Sequence, residues 1–204
     1  PALLSLGRGY LAMVAGDVEA TVRHATAALE QLPKSEDHWV GTAVALLGLA
    51  HWWRGDLDAA QPLRAEALRC FERAADDGLA ITSAYHDVEI QKARGRLREA
   101  QQRCETSLRS LADRGVALRS AANLYIGLSD VLCERNELEG AERALTEAER
   151  MGIYPPRTPH RYLLAQARLA QCRGQLDAAI ELLDAAERIA VRGAVPDLRP
   201  LAAW

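Results

Sequence analysis

A short sequence recurs five times in this chain of 204 residues, and it constrains the fold more than any other feature. Each copy begins with Gly or Asn, has an apolar residue two positions later, and has a mostly small residue three positions after that. The copies begin at Gly16, Gly55, Gly95, Asn136 and Gly174, which gives steps of 39, 40, 41 and 38 residues. A near-constant period of this length is typical of a solenoid of stacked helix pairs.

The residue types in each copy predict a turn between a first helix, A, and a second helix, B. Gly and Asn adopt the left-handed backbone conformation that commonly follows a helix end. Asp17 and Asp56 come next in the first two copies and suit the N-cap of helix B. Small residues also recur seven positions before and twelve positions after the start of each copy, which predicts close packing of A against B.

A second set of turns separates the helix pairs, at residues 33–35, 77–78, 114–115, 151–152 and 192–193; four of these five turns contain Gly. The two sets of turns together predict ten helices, and the sequence shows no alternating pattern typical of a strand. The predicted A helices cover residues 3–15, 36–54, 79–94 and 116–135, with a fifth that ends at 173. The predicted B helices cover residues 17–32, 56–75, 96–113, 137–150 and 175–192.

The order of Gly, Asp, an apolar residue and two regularly placed alanines resembles the tetratricopeptide repeat, whose usual period is 34 residues. Pro33 stands where that pattern places its closing proline. The longer helices resemble the repeat region of MalT-like, LuxR-family bacterial transcriptional activators. The resemblance covers nearly the whole chain and implies an all-α, right-handed superhelical solenoid of about five helical hairpins, as one domain over residues 1–204.

The same resemblance implies that the chain is a fragment of a longer regulator. In such regulators an ATP-binding switch domain lies upstream of the repeats and a helix-turn-helix DNA-binding domain lies downstream. The segment from Asp197 to Trp204 is read as the start of a sixth A helix.

Composition and charge narrow the functional classes. The chain is 49% hydrophobic and 26% charged, with a formal net charge of −3 at pH 7. We therefore expect no direct nucleic acid contact by this segment, because a phosphate backbone is bound by clustered Lys and Arg. The longest apolar run, residues 43–50, is too short to span a membrane, and residues 1–15 do not resemble a signal peptide. A cytoplasmic protein without membrane contact is expected.

Residues capable of metal binding or catalysis are scattered along the sequence. The four cysteines are not spaced as zinc ligands or as a redox pair, and we expect buried, reduced thiols at Cys70, Cys104, Cys133 and Cys172. His86 and Glu89 have a spacing that could hold a metal, but such pairs are common on solvated helices. Phosphate-binding and hydrolase motifs are absent from the sequence. We expect no catalytic residues, no metal and no cofactor, and hence a binding module and not an enzyme.

The A helices carry the candidate binding site. By analogy with the tetratricopeptide pattern, they line the concave face and present the residues thirteen, ten, six and three positions before each turn. Rings stack on a ligand and polar groups orient it through charge-assisted hydrogen bonds. We therefore expect a groove formed by Tyr10, Trp52, Tyr85, Glu89, Asn123, Asp130, Arg161 and Arg168. In the alternative interpretation, Trp52 and Tyr85 pack between repeats and the charges are solvated.

These observations predict a ligand- or protein-binding sensor or scaffold module of a bacterial LuxR-family, MalT-like transcriptional regulator. A protein partner, a peptide or a small-molecule effector would bind in the concave groove. The alternative is a stand-alone protein–protein interaction scaffold or peptide receptor unrelated to transcription, and an accessory domain of an enzyme such as a kinase is a third reading.

The two ends of the array are expected to favour self-association through the terminal repeats, because neither end has the polar face of a capping repeat. The apolar side chains expected to be poorly covered are Leu3, Leu6 and Leu11 at one end and Leu198, Leu201 and Trp204 at the other.

Overall fold

A computed structural model describes residues 1–116, 119–152 and 159–192. This part of the chain contains ten α-helices and no strand, so the predicted all-α repeat fold is confirmed. The helices form two compact units, Pro1–Arg94 and Gly95–Trp204. In chain order they are α1 (Ala2–Val14), α2 (Val18–Gln31), α3 (Asp37–Trp53), α4 (Leu57–Arg73), α5 (Asp77–Ala93), α6 (Leu97–Asp113), α7 (Ala121–Glu134), α8 (Leu138–Arg150), α9 (Pro159–Cys172) and α10 (Leu176–Arg192).

The repeated turn forms as its residue types predict. The Asp17 carboxylate accepts a hydrogen bond from the Ala20 N–H at 2.9 Å and caps α2, and Asp56 caps α4 through the Ala59 N–H at 3.1 Å. The first residue of every copy has a positive φ, as the left-handed conformation requires. These φ values are 74° at Gly16, 77° at Gly55, 70° at Gly95, 59° at Asn136 and 74° at Gly174.

Two predicted boundaries between helix pairs were wrong. The turn expected at Asp77-Gly78 lies earlier, because α5 begins at Asp77 and Gly78 is inside its first turn. Ala75 adopts the left-handed conformation, with φ 53°, and the Asp76 carboxylate caps α5 by accepting from the Leu79 N–H at 3.0 Å. The start of α5 is set by the aspartate whose carboxylate accepts from an otherwise unpaired N–H, and not by the glycine at position 78. Helix α7 begins at Ala121 and not at the predicted Val116.

Close contact between α3 and α4 builds the core of the first unit. A Cβ added at Gly41 would lie 2.8 Å from the Cβ of Cys70 and 2.9 Å from the ring of Phe71. Phe71 is buried in a cluster with Val44 and Ala67. Gly41, a position outside the recurring small residues of the sequence pattern, therefore sets how near the two helices approach here.

A charged side chain lies within this core. Arg64 of α4 is 3% exposed and donates from Nη1 to the carbonyl oxygen of Ala45 at 2.9 Å. Burial lowers the pKa of Arg64 to about 10, and the nearby buried carboxylate of Asp87 on α5 opposes that shift. Gly48 leaves room for the arginine, since a Cβ there would lie 2.6 Å from Arg64 Cδ. A buried charge is tolerated when it is paired in this way.

The core of the second unit joins α7, α8 and α9. Leu132 of α7, Leu145 of α8 and Leu169 of α9 belong to one buried cluster. Cys133 and Ala165 are part of the same cluster, so α7 and α9 lie side by side where their polar faces could form a binding surface.

An arginine recurs immediately before the repeated turn and reaches back to helix B of the preceding pair. We call these four contacts the arginine series. An exposed ion pair adds at most about 1 kcal/mol to stability, but the repetition ties each of these A helices to the pair before it. An arginine stands one residue before each of these four turns, and that recurrence could have indicated the contacts. The contacts are Arg54–Glu19 and Arg94–Asp58 in the first unit, and Arg135–Gln101 and Arg173–Glu142 (both 2.8 Å) in the second.

The N-terminal end is only partly uncovered. Leu3 and Leu11 are exposed as predicted, whereas Leu6 is buried with Ala25 and Leu46, so that prediction was wrong for Leu6. Leu6 lies on the face of α1 that packs against α2 and α3. The predicted sixth A helix, with Leu198, Leu201 and Trp204, lies outside the described residues. Among the helices that the structure describes, none is both long enough and apolar enough to cross a membrane.

Candidate functional site

The three predicted aromatic residues lie on α1, α3 and α5 of the first unit and differ in exposure. Tyr10 is 43% exposed and Trp52 is partly exposed, whereas Tyr85 is only 8% exposed. The ring of Tyr85 packs edge-to-face on His86, with centroids 5.5 Å apart. Tyr10 and Trp52 therefore keep ring surface on which a ligand could stack, and Tyr85 offers little.

Glu89 follows Tyr85 by about one turn of α5. Its carboxylate pairs with the ammonium of Lys92 at 3.0 Å, and both side chains are partly buried. Lys92 is also at one of the expected inward positions. A ligand on this face would therefore meet an ion pair and not a bare carboxylate.

In the second unit the structure brings Asp130 and Arg168 together. Arg168 Nε lies 4.0 Å from the Asp130 carboxylate, and Arg168 Nη1 lies 3.3 Å from Glu134 Oε1. Glu134 was not predicted as a site residue, although its position one turn after Asp130 on α7 could have indicated it. We call Asp130, Glu134 and Arg168 the charged cluster. Its two carboxylates hold one guanidinium in place between α7 and α9.

Asn123 and Arg161 lie seven residues before Asp130 and Arg168 on the same two helices, which is about two turns along the same faces. Both side chains are partly buried. The side-chain oxygen of Asn123 is buried and has no hydrogen-bond partner among the described residues. Buried polar atoms are usually paired, so this oxygen is an acceptor for which the described residues supply no donor. The α7–α9 face thus offers one amide and four charged groups, two carboxylates and two guanidinium groups.

His160 lies in the first turn of α9 beside Arg161. The imidazole is buried, and its two nitrogens lack hydrogen-bond partners within the described ranges. Burial, reinforced by the charge of Arg161, lowers the pKa of His160 to about 4. The ring is therefore neutral at neutral pH and belongs to the packing beneath the α7–α9 face.

The cysteines differ from the prediction in two respects. Cys70, Cys104 and Cys133 are buried as expected, but Cys172 is exposed because it is the last residue of α9. Burial, and then the nearby Cys172 thiol, raises the pKa of the Cys133 thiol, so the two cysteines lie near each other. Their sequence spacing is not that of a local redox motif, but the repeat fold brings residues one period apart onto neighbouring A helices.

Other parts of the described chain offer less chemistry. No group of three or more His, Cys, Asp or Glu side chains in residues 1–116, 119–152 and 159–192 could hold a metal ion. A shallow depression of about 450 Å³ lies on α10 beside Glu181, Leu182, Asp184 and Arg188, and none of the eight predicted site residues lines it. The groups described above are suited to binding through hydrogen bonds, ion pairs and stacking.

Comparisons with known proteins agree with this architecture. Residues 5–203 match the family model described as the MalT-like TPR region. No curated protein matches the sequence.

Several solved structures share the fold at low sequence identity. The Rap conjugation gene regulator of plasmid pLS20 in complex with the Phr* peptide has a TM-score of 0.74 and 16% identity, over 92% of this chain and 53% of that chain. The apo form of RapI has a TM-score of 0.67 and 10% identity, over 94% and 85%. PilF of Pseudomonas aeruginosa has a TM-score of 0.66 and 14% identity, over 94% and 76%. At such identities the similarity shows the fold alone.

Proposed function

For this chain, which belongs to the MalT-like TPR region family, we propose the role of a ligand- or protein-binding sensor segment in a bacterial LuxR-family transcriptional regulator. The observation that carries the proposal is the α7–α9 face of the second unit. There an unpaired acceptor on Asn123 lies along the same helices as the charged cluster. A helical repeat scaffold supplies such side chains on regularly spaced helices, which suits recognition of an extended ligand.

We propose a peptide or an extended protein segment as the ligand. On binding, the Asn123 side chain would turn its amide oxygen toward the ligand and accept a peptide N–H, which would pair an acceptor that is otherwise unpaired. Arg161 and Arg168 would donate to peptide carbonyl or carboxylate oxygens. The Phr* peptide bound to the Rap regulator of plasmid pLS20 is an example of a peptide ligand on a protein of similar fold, which supports the choice.

The first unit would contribute a separate contact surface for a partner. Tyr10 and Trp52 present ring surface on which an apolar side chain of a partner would stack. In a regulator, a ligand that binds one conformation of the repeats more tightly than another shifts the population, and a neighbouring switch domain responds to that shift.

The test is a peptide array probed with the full chain, followed by calorimetric titration of the peptides retained. We expect Asn123→Ala and Arg168→Ala each to weaken binding about tenfold or more, which corresponds to about 1.4 kcal/mol. Arg98→Ala is the matched control, because Arg98 is an exposed arginine on α6 outside the proposed surface. Circular dichroism of each variant verifies that the helices are retained.

Unchanged affinity in both site variants would contradict the α7–α9 assignment. The regulator context has an independent test in the sequence of the gene on either side. A helix-turn-helix domain downstream and an ATP-binding domain upstream are expected. Their absence would favour a stand-alone scaffold or peptide receptor unrelated to transcription.

A further inference from the structure

Two cysteines lie at the ends of neighbouring A helices in the second unit. Cys133 is in the last turn of α7 and Cys172 ends α9, and burial together with the nearby Cys172 thiol raises the pKa of the Cys133 thiol. The packing agrees, because Cys133 shares a buried cluster with Leu169 of α9. About one turn earlier on both helices, Asp130 and Arg168 approach to 4.0 Å. The two helices are therefore adjacent at two successive levels, one ionic and one made of thiols.

The two thiols differ in access to solvent. Cys172 is exposed, whereas Cys133 is buried. An oxidant in solution therefore reaches Cys172 first and leaves Cys133 in position to react second. An accessible thiol next to a resolving thiol is the arrangement found in redox-sensitive cysteine pairs.

Cys70 provides an internal comparison. Its buried sulfur lies 3.6 Å from Glu66 Oε1 and 3.3 Å from Arg73 Nη2. Burial and the neighbouring carboxylate raise the pKa of the Cys70 thiol. This thiol is therefore protonated and shielded from an oxidant, whereas Cys172 is exposed to solvent.

We propose that Cys133 and Cys172 are a modification site at which a peroxide forms a reversible disulfide between α7 and α9. The bond would fix the spacing of the two helices about one turn from the Asp130–Arg168 pair of the charged cluster. The proposal does not depend on the ligand proposed above.

The chemistry balances in two steps. The sulfur of Cys172 attacks one oxygen of hydrogen peroxide, the O–O bond breaks, and the departing hydroxide takes the thiol proton and becomes water, which leaves a sulfenic acid. The sulfur of Cys133 then attacks the sulfenic sulfur, so that the S–S bond forms and the S–O bond breaks. The leaving hydroxyl takes the Cys133 proton as a second water. Two thiols are oxidised and one peroxide is reduced.

Reversal requires a small-molecule thiol, which attacks the disulfide by exchange. Cys133 is suited to the second step and not the first. Burial raises the pKa of its thiol to about 12, so it is protonated at neutral pH and reacts only with a strong electrophile placed beside it.

The experiment uses the full chain treated with hydrogen peroxide, then denatured and alkylated without a reductant. We expect the intact mass, measured before alkylation, to fall by two hydrogen atoms. Of the four cysteines, two should become unavailable to alkylation. Digestion should yield one linked pair of peptides, containing Cys133 and Cys172. Dithiothreitol should restore all the thiols.

Three variants distinguish the roles. Cys133→Ser should leave Cys172 as a sulfenic acid that dimedone labels. Cys172→Ser should keep all its thiols at the same peroxide dose. Cys104→Ser is the control and should form the disulfide as the wild type does. Circular dichroism checks the fold of each. The proposal is overturned if wild-type Cys172 retains its thiol or a dimedone-reactive sulfenic acid, or if it links to a second molecule.

Discussion

Replacing Gly41 by alanine tests the close approach of α3 and α4. The added carbon would lie 2.8 Å from the Cβ of Cys70 and 2.9 Å from the ring of Phe71. Neither neighbour moves easily, because a Cβ is bonded to the backbone of α4 and the ring of Phe71 is buried. The two helices must therefore separate to admit the methyl group.

Two opposing terms set the magnitude of the effect. Alanine in a helix interior is favoured over glycine by about 1 kcal/mol. Overpacking a well-packed core costs about 1–3 kcal/mol, and the anchored neighbours place this site at the upper end. We therefore expect Gly41→Ala to lower the free energy of unfolding by about 2 kcal/mol.

Gly7→Ala on α1 is the matched control for the same substitution in the same unit. Position 7 is exposed, and a Cβ added there meets no atom of the described structure within 4 Å. Only the helix propensity acts, so the free energy of unfolding should rise by about 1 kcal/mol.

Urea unfolding followed by circular dichroism measures both variants. With a slope of about 2 kcal/mol per molar urea, the midpoint should fall by about 1 M in Gly41→Ala and rise by about 0.5 M in Gly7→Ala. If Gly41→Ala raises the midpoint as the control does, α3 and α4 are not in the contact described, and the reasoning fails.

Two further predictions concern buried polar groups. Arg64→Ala leaves the Asp87 carboxylate buried without its guanidinium neighbour, so the free energy of unfolding should fall by about 3–5 kcal/mol. Arg98→Ala, at an exposed position, should change the free energy of unfolding by less than about 0.5 kcal/mol. If denaturant titration gives similar values for the two variants, the buried pairing of Arg64 with Asp87 is contradicted. Burial lowers the pKa of His160 from 6.5 to about 4, so between these pH values the unfolded chain binds the extra proton and stability should decline as the pH falls. In unfolding curves measured across this pH range, the stability of His160→Gln should fall less with decreasing pH than that of the wild type. If the two proteins lose stability equally, groups other than His160 cause the pH dependence.

The repeated turns could be predicted because their chemistry is local. A glycine in the left-handed region followed by a capping aspartate specifies a helix end and a helix start within two residues, as at Gly16 and Asp17. The turn at Ala75 could not be predicted in the same way, because alanine carries no preference for that conformation. There the capping Asp76 and the packing on either side hold the backbone, and both depend on tertiary structure.

The candidate site was harder to predict than the turns. Helical periodicity indicates which face a side chain lies on, but not how completely the neighbouring helices cover it. Tyr10 and Tyr85 both hold predicted inward positions, six and ten residues before their turns, yet one is exposed and the other is buried. The Cys133–Cys172 contact depends on the register between two A helices, which the spacing within a single helix does not reveal.

The arginine series has a consequence for how such a chain can change in length. In each of the four contacts, the guanidinium lies just before a turn and its acceptor lies on helix B of the preceding pair. A segment that runs from one of these turns to the next therefore carries one donor and one acceptor. If such a segment were duplicated or lost by recombination within a unit, the new junction would again place an arginine opposite an acceptor. Gain and loss of whole repeats is then close to neutral for these contacts, whereas an insertion within a helix between the arginine and its acceptor would change their register.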